Sequence, residues 1–174
     1  LPAASFEATR HIRYKTGRPF VRGWQRLFPL RRALAPYPRS YWMDAMYGVW
    51  VRQLRAIPAE VVLVNDAILL PTGLAIANGR PVVFDAHEFA PSENAADRRW
   101  RLTHGRMLTA ICRKEIPKVA SMMTVSPGLV AAYRELTGVH AELVTNAPWY
   151  ADLQPSPVHT PVRIVHGGGA SPAR

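Results

Sequence analysis

Four short apolar runs, each closed by small or polar turn residues, constrain this chain more than any other feature. Val61-Val62-Leu63-Val64 ends at Asn65-Asp66, and Pro81-Val82-Val83-Phe84 ends at Asp85-Ala86-His87-Glu88. Met122-Met123-Thr124-Val125 ends at Ser126-Pro127-Gly128, and Ala141 to Thr145 ends at Asn146-Ala147-Pro148. Runs this short, bounded by Gly, Pro and Asn and rich in β-branched residues, read as buried strands. Helical patterns separate them. Ala67 to Ala77 tolerates Pro71 near its first turn and is closed by Asn78-Gly79. In the region from Pro91 to Ile116, Trp100, Met107, Leu108, Ile111 and Cys112 share one face. Leu129 to Leu136 is led by Pro127 and closed by Gly138. Strand and helix alternating at this pitch predict parallel βαβ units. The expected fold class is α/β, a Rossmann-like parallel sheet flanked by helices.

The flanks differ in character. Residues 1–59 form a basic, aromatic-bearing segment, read as part of the same N-terminal domain. Val21, Trp24, Leu27, Phe28 and Leu34 hint at a short amphipathic helix broken near Pro29. Ser40 is expected to cap a better one, with Trp42, Met46, Val49, Trp50 and Leu54 at helical spacing and Pro58 at its end. Up to Glu60 eleven Arg and Lys face only three carboxylates, out of a net charge of +10 for the chain. Interleaved with Phe20, Trp24, Phe28, Tyr37, Tyr41 and Trp42, they suit an anionic membrane surface, a phosphorylated ligand or nucleic acid. A solvated helical face is the simpler account of the same charge.

Residues 60–150 carry the Rossmann-like pattern, and 151–161 read as a Pro-rich linker. Val162 to Val165 and the loop His166-Gly167-Gly168-Gly169 read as the first strand and glycine turn of a second domain spanning 162–174. The helix such a turn should open is missing, and Leu1-Pro2-Ala3 has neither Met nor a signal-peptide pattern. The chain is therefore expected to be truncated at both ends. No apolar run approaches the roughly 20 residues of a membrane span. The single cysteine, Cys112, excludes an internal disulfide and a multi-Cys zinc site, and suits a reducing, cytoplasmic setting.

Asp85, His87 and Glu88 load one strand end with titratable groups, at the sheet edge where parallel α/β proteins bind ligands. A loop capped by its own carboxylates is the structural alternative. His87-Glu88 begins the pattern His-Glu-x-x-His, but Pro91 stands where the second His is needed. No metal site is expected. His166-Gly167-Gly168-Gly169 resembles a lipase oxyanion loop, yet no Gly-x-Ser-x-Gly elbow accompanies it. It also lacks the Lys of a P-loop. The four strand ends should converge on one cleft.

Taken in order, three segments resemble the N-terminal half of a retaining GT-B glycosyltransferase of the family 4 type. They are Pro81 to Glu88, Glu115 to Gly138, and Leu143 to Pro148. Val162 to Arg174 is similar to the opening of that family's donor-binding domain. The resemblance covers about residues 60–174. It implies transfer of a sugar, with retention, from a nucleotide-diphosphate sugar to a glycan, lipid-linked or small-molecule acceptor. It implies no metal and no cofactor beyond that co-substrate, and no nucleic acid partner. His87 would contact the donor sugar as the catalytic-site residue, with Asp85, Glu88, Ser126 and Asn146 lining the substrate cleft. Gly167, Gly168, Gly169 and Arg174 would approach the donor diphosphate, where Arg suits phosphate oxygens.

Two family features, the first glycine-turn strand and a downstream Glu-x7-Glu, are not in the sequence. The chain alone is therefore expected to be inactive. The rivals are a nucleotide-sugar epimerase of GT-B fold and a non-enzymatic basic module binding nucleic acid or a membrane surface. A mixed expectation places the enzyme peripherally at the inner face of the membrane, held there by its basic segment.

Overall fold

The computed structural model describes residues 36–42, 45–155, 157–158 and 160–163. The amphipathic pattern in 20–34, the glycine loop 167–169 and Arg174 lie outside them. At the centre is a four-stranded, fully parallel sheet in the order β1-β2-β3-β4. Its strands are β1 (Val62–Val64), β2 (Val82–Ala86), β3 (Ser121–Thr124) and β4 (Glu142–Leu143). Among the described residues two helices precede the sheet, α1 (Arg39–Trp42) and α2 (Ala45–Leu54). A 3-10 turn and α3 (Leu70–Ala77) join β1 to β2. Between β2 and β3 run α4 (Arg98–Trp100), a π turn over Arg101–Gly105 and α5 (Arg106–Glu115). Finally α6 (Pro127–Thr137) leads to β4. The α/β, Rossmann-like class expected from the sequence is the class observed.

Strand order rising steadily through the sheet, with right-handed crossovers, sends every connecting helix to the same face. The burial pattern agrees. Val64, Val82, Phe84, Ala86, Met122 and Thr124 are buried on that face, and the register pairs Val64 with Phe84 and Phe84 with Met122. On the other face Leu63 is 58% exposed, while Val83, Asp85 and Met123 are only partly covered. Core side chains from the helices, among them Leu70, Ile111 and Tyr133, complete the buried layer.

Local chemistry sets the boundaries. Pro71 stands at the start of α3, where its missing N–H costs no bond. Asn78 ends that helix at φ 49°, and Gly79 follows at φ 91°, left-handed positions that suit Asn and Gly. Arg80 then staples the corner. Its guanidinium donates to the carbonyls of Ile76, Ala77 and Ala59 at 2.8 Å each. It thereby neutralises the exposed C-terminal carbonyls of α3 and ties down the approach to β1.

Several expectations need correction. Ser40 does not cap a helix: it is buried within α1, whose first bonds run from Tyr41 and Trp42 N–H to the Pro38 carbonyl. Proline before the first turn, with φ already set, begins the helix earlier than the Ser signal suggested. The region from Pro91 to Ile116, read as passing from polar to helical, does so in steps. Pro91 sits in a 3-10 turn, and α4 starts only at Asp97, whose Oδ1 accepts from Arg99 N–H at 2.8 Å and Trp100 N–H at 3.2 Å. The strand expected over Ala141 to Thr145 shrinks to two exposed residues at the sheet edge, though Val144 N–H still donates to Thr124 O. Residues 144–155 are exposed and carry no helix or strand, and Val162 and Arg163 are not in a strand.

The aromatic interleaving also reads differently. Tyr37 and Tyr41 are core residues, 9% and 0% exposed, not groups held out to a partner. Tyr41 stacks on Tyr47 with ring centroids 4.1 Å apart and shares a 2.6 Å hydrogen bond with Thr72 Oγ1. The Tyr37 hydroxyl donates to Glu115, which is 8% exposed and also accepts from Lys118 Nζ at 2.6 Å. Residues 36–42 are thus fastened to the end of α5 by a buried carboxylate.

Cys112 is fully buried on α5, and burial pushes its thiol up from 9.0 to about 12. The thiolate is the reactive species. Folded protein is therefore expected to resist a disulfide reagent such as DTNB near neutrality, labelling only at the rate of unfolding. Fast stoichiometric labelling of folded chain would contradict the burial. Because the folded state keeps this proton, the associated stability is full below about pH 9 and is lost as pH rises towards 12. Tyr37 and Tyr133 are shifted upward mainly by burial and add to the same alkaline loss.

Candidate functional site

A cavity of about 250 Å³ opens at the C-terminal ends of β1 and β2, on the helix-covered side of the sheet. Its polar wall is Asn65 and Asp66 after β1, and His87 and Glu88 after β2. The opposing wall comes from the connection between β2 and β3. It includes Glu93, Asn94, Trp100 and His104, with Phe84 and Tyr133 at the base. Two of the four predicted strand ends therefore converge. The other two do not line this cavity.

Why the ends meet follows from local structure. Side chains alternate along β2, so Phe84 and Ala86 point to the helices while Asp85 lies on the open face. His87 comes just past the strand, 54% exposed, and its Nε2 lies 3.0 Å from Asp85 Oδ2. The carboxylate accepts the Nε2 proton, which fixes the ring and leaves Nδ1 as the nitrogen available to a ligand. Asp85 itself does not line the cavity; it orients a residue that does.

The loop after His87 is held from below. The Tyr133 hydroxyl, fully buried on α6, donates to Glu88 O at 2.7 Å and accepts from Ala90 N–H at 3.1 Å. Its ring meets Phe84 and Phe89 edge to face, at 6.4 and 5.1 Å. One side chain thus fixes the backbone that presents His87 and Glu88. Tyr133 was not singled out from the sequence, because an aromatic at helical spacing reads as ordinary core.

His104 was also missed. It sits in the π turn, four residues after Trp100 and four before Leu108, and all three line the cavity. That i, i+4 row was the legible signal. Thr103 marks the irregular turn, with its hydroxyl donating back to Arg99 O at 2.8 Å. Gly105 is needed there, since a Cβ at this position would stand 2.9 Å from the Trp100 ring.

Of the remaining predicted residues, Ser126 has a structural position. It is the N-cap of α6, accepting from Leu129 N–H at 3.4 Å. Asn146 is exposed beyond β4. Gly167, Gly168, Gly169 and Arg174 fall outside the described residues.

The lining is chemically one-sided. Asp66, Glu88 and Glu93 supply carboxylates, Asn65 and Asn94 amides, and among the described residues no Lys or Arg lines the cavity. Such a wall accepts hydrogen bonds from hydroxyl groups. Among the described residues no group of His, Cys, Asp and Glu has the arrangement to hold a metal ion. No helix of the described residues is long and apolar enough to cross a membrane. Compared with models of protein families, with curated proteins and with solved structures, the chain matches none of them.

Proposed function

We propose that this chain is the acceptor-side half of a retaining glycosyltransferase, moving a sugar from a nucleotide-diphosphate sugar to a glycan, lipid-linked or small-molecule acceptor. The observation that carries this reading is the cavity where Asp85-oriented His87 meets carboxylates, amides and the Trp100 ring. Polyhydroxylated rings are recognised by this mixture. Carboxylates and amides take the hydroxyl protons, and an aromatic face covers the C–H surface. His87 Nδ1 would bond a hydroxyl of the transferred sugar, while Glu88 and Asp66 would hold neighbouring hydroxyls.

Among the described residues that line this cavity, none offers a diphosphate a counter-charge. In this reading it is held by the glycine loop Gly167 to Gly169 and by Arg174, on the donor side. Stabilising charge on the departing diphosphate is then the task of that second half, and positioning the sugar is the task of this one.

The test is a titration of free hexoses, nucleotide-diphosphate sugars and the bare nucleotide diphosphates, followed by NMR of the His87 and Trp100 side chains. Sugar-bearing ligands are expected to shift both. His87→Ala should weaken that binding about tenfold, the equivalent of one lost hydrogen bond. Asp85→Asn should weaken it less, since the ring stays but loses its orientation. A response to bare nucleotide diphosphates and none to any sugar would sink the assignment.

A further inference from the structure

The helix that carries Trp100, His104 and Leu108 to the cavity presents a second row immediately beside the first. Arg101, Gly105, Thr109 and Arg113 follow the same i, i+4 spacing and line a groove of about 620 Å³ between the helix and the segment of Pro91, Ser92 and Ala95. Arg106 and Lys114 complete its rim, and among the described residues no carboxylate lines it. Its chemistry is the reverse of the cavity's. Between Arg98 and Lys118 the chain has seven exposed cations and a single acid, Glu115, which is buried against Tyr37 and Lys118. Among the described residues none of these cations except Lys118 forms an ion pair.

We propose that this basic face, over α4 and α5, docks the protein on an anionic phospholipid bilayer. Guanidinium groups match phosphate oxygens in pairs, and the floor of Gly105, Thr109 and Ala110 leaves room for a headgroup between them. Leu102 decides between a membrane and a nucleic acid. It is 53% exposed and stands among Arg98, Arg99, Arg101 and Arg106, the arrangement of an interfacial helix that lowers an apolar residue below a ring of cations. A single-stranded nucleic acid would instead need exposed aromatic rings for its bases, and none of the aromatic residues of this helix is exposed. The sequence pointed to residues 1–59 for membrane charge; this face lies elsewhere. The proposal does not depend on sugar binding, because its assay contains no sugar.

The test is flotation of the whole chain with vesicles of phosphatidylcholine, with and without about one third phosphatidylglycerol. Binding to the anionic vesicles only is expected. Arg106→Glu with Arg113→Glu should lower the partition coefficient about thirtyfold. The control pair Arg52→Glu with Arg134→Glu makes the same change in net charge at two exposed sites elsewhere, and should lower it only a few-fold. Leu102→Ser, which leaves the charge intact, should weaken binding several-fold. Thermal melts of each variant confirm folding. Equal losses from both charge pairs would mean attraction by total charge alone and would overturn the proposal. So would vesicle binding that survives Arg106→Glu with Arg113→Glu while binding to a DNA duplex is lost.

Discussion

Tyr133→Phe is expected to lower the stability of the protein by about 2–3 kcal/mol, although it removes one oxygen atom and leaves the ring in place. The hydroxyl is the partner of two main-chain groups, Glu88 O and Ala90 N–H. Deleting it strands the buried Ala90 donor, at a cost of about 1–3 kcal/mol, with a smaller loss at the partly buried Glu88 carbonyl. Urea or thermal denaturation measures the change. A second readout separates this from ordinary core damage. Hydrogen exchange at Ala90 should quicken far more than exchange in β3, because the loop that presents His87 loses its anchor while the sheet does not. Uniform acceleration across the sheet would show instead that Tyr133 acts only by filling space.

Gly73→Ala is expected to destabilise by about 1–3 kcal/mol, against the usual helix preference for Ala over Gly. A Cβ at this position would stand 2.4 Å from Val64 Cγ2. Val64 is a β-branched residue on a buried strand, with few alternative rotamers, so it cannot easily swing away. Either α3 lifts off β1 or the valine is strained. The double variant Gly73→Ala with Val64→Ala should then cost less than the sum of its parts. Strict additivity would remove the clash as the cause.

How much of this was legible in the sequence depends on the range of the interaction. The strands over Val62–Val64 and Val82–Ala86, the Asn78-Gly79 stop and Pro71 at a helix start are local signals, and each is found where its chemistry predicts. Asp97 is a local signal too, but Pro91 and a long polar stretch hid it inside a region read as passing from polar to helical without a marked start. The roles of Tyr37, Tyr41 and Tyr133 were not legible, because a tyrosine among cations looks the same whether its hydroxyl meets Glu115, Thr72 or water. Only the fold decides. For the candidate site, Asp85, His87 and Glu88 were legible as a strand end, and Asn65-Asp66 as its neighbour. Their opposite wall was not, since Glu93, Asn94 and His104 arrive through a crossover of more than thirty residues whose path is set by packing.

The π turn at Arg101–Gly105 has a consequence for how this helix can change. Each residue of an α-helix advances the side-chain direction by about 100°, and a π turn holds one residue beyond the α-helical spacing. Deleting a single residue there would close the turn to α-helical spacing and, because the wide turn absorbs its extra residue locally, would leave Trp100 on one side and α5 on the other facing nearly as they do. The extra residue therefore widens the rod at the one place where an acidic surface and a basic surface run side by side along it, without turning either from its position.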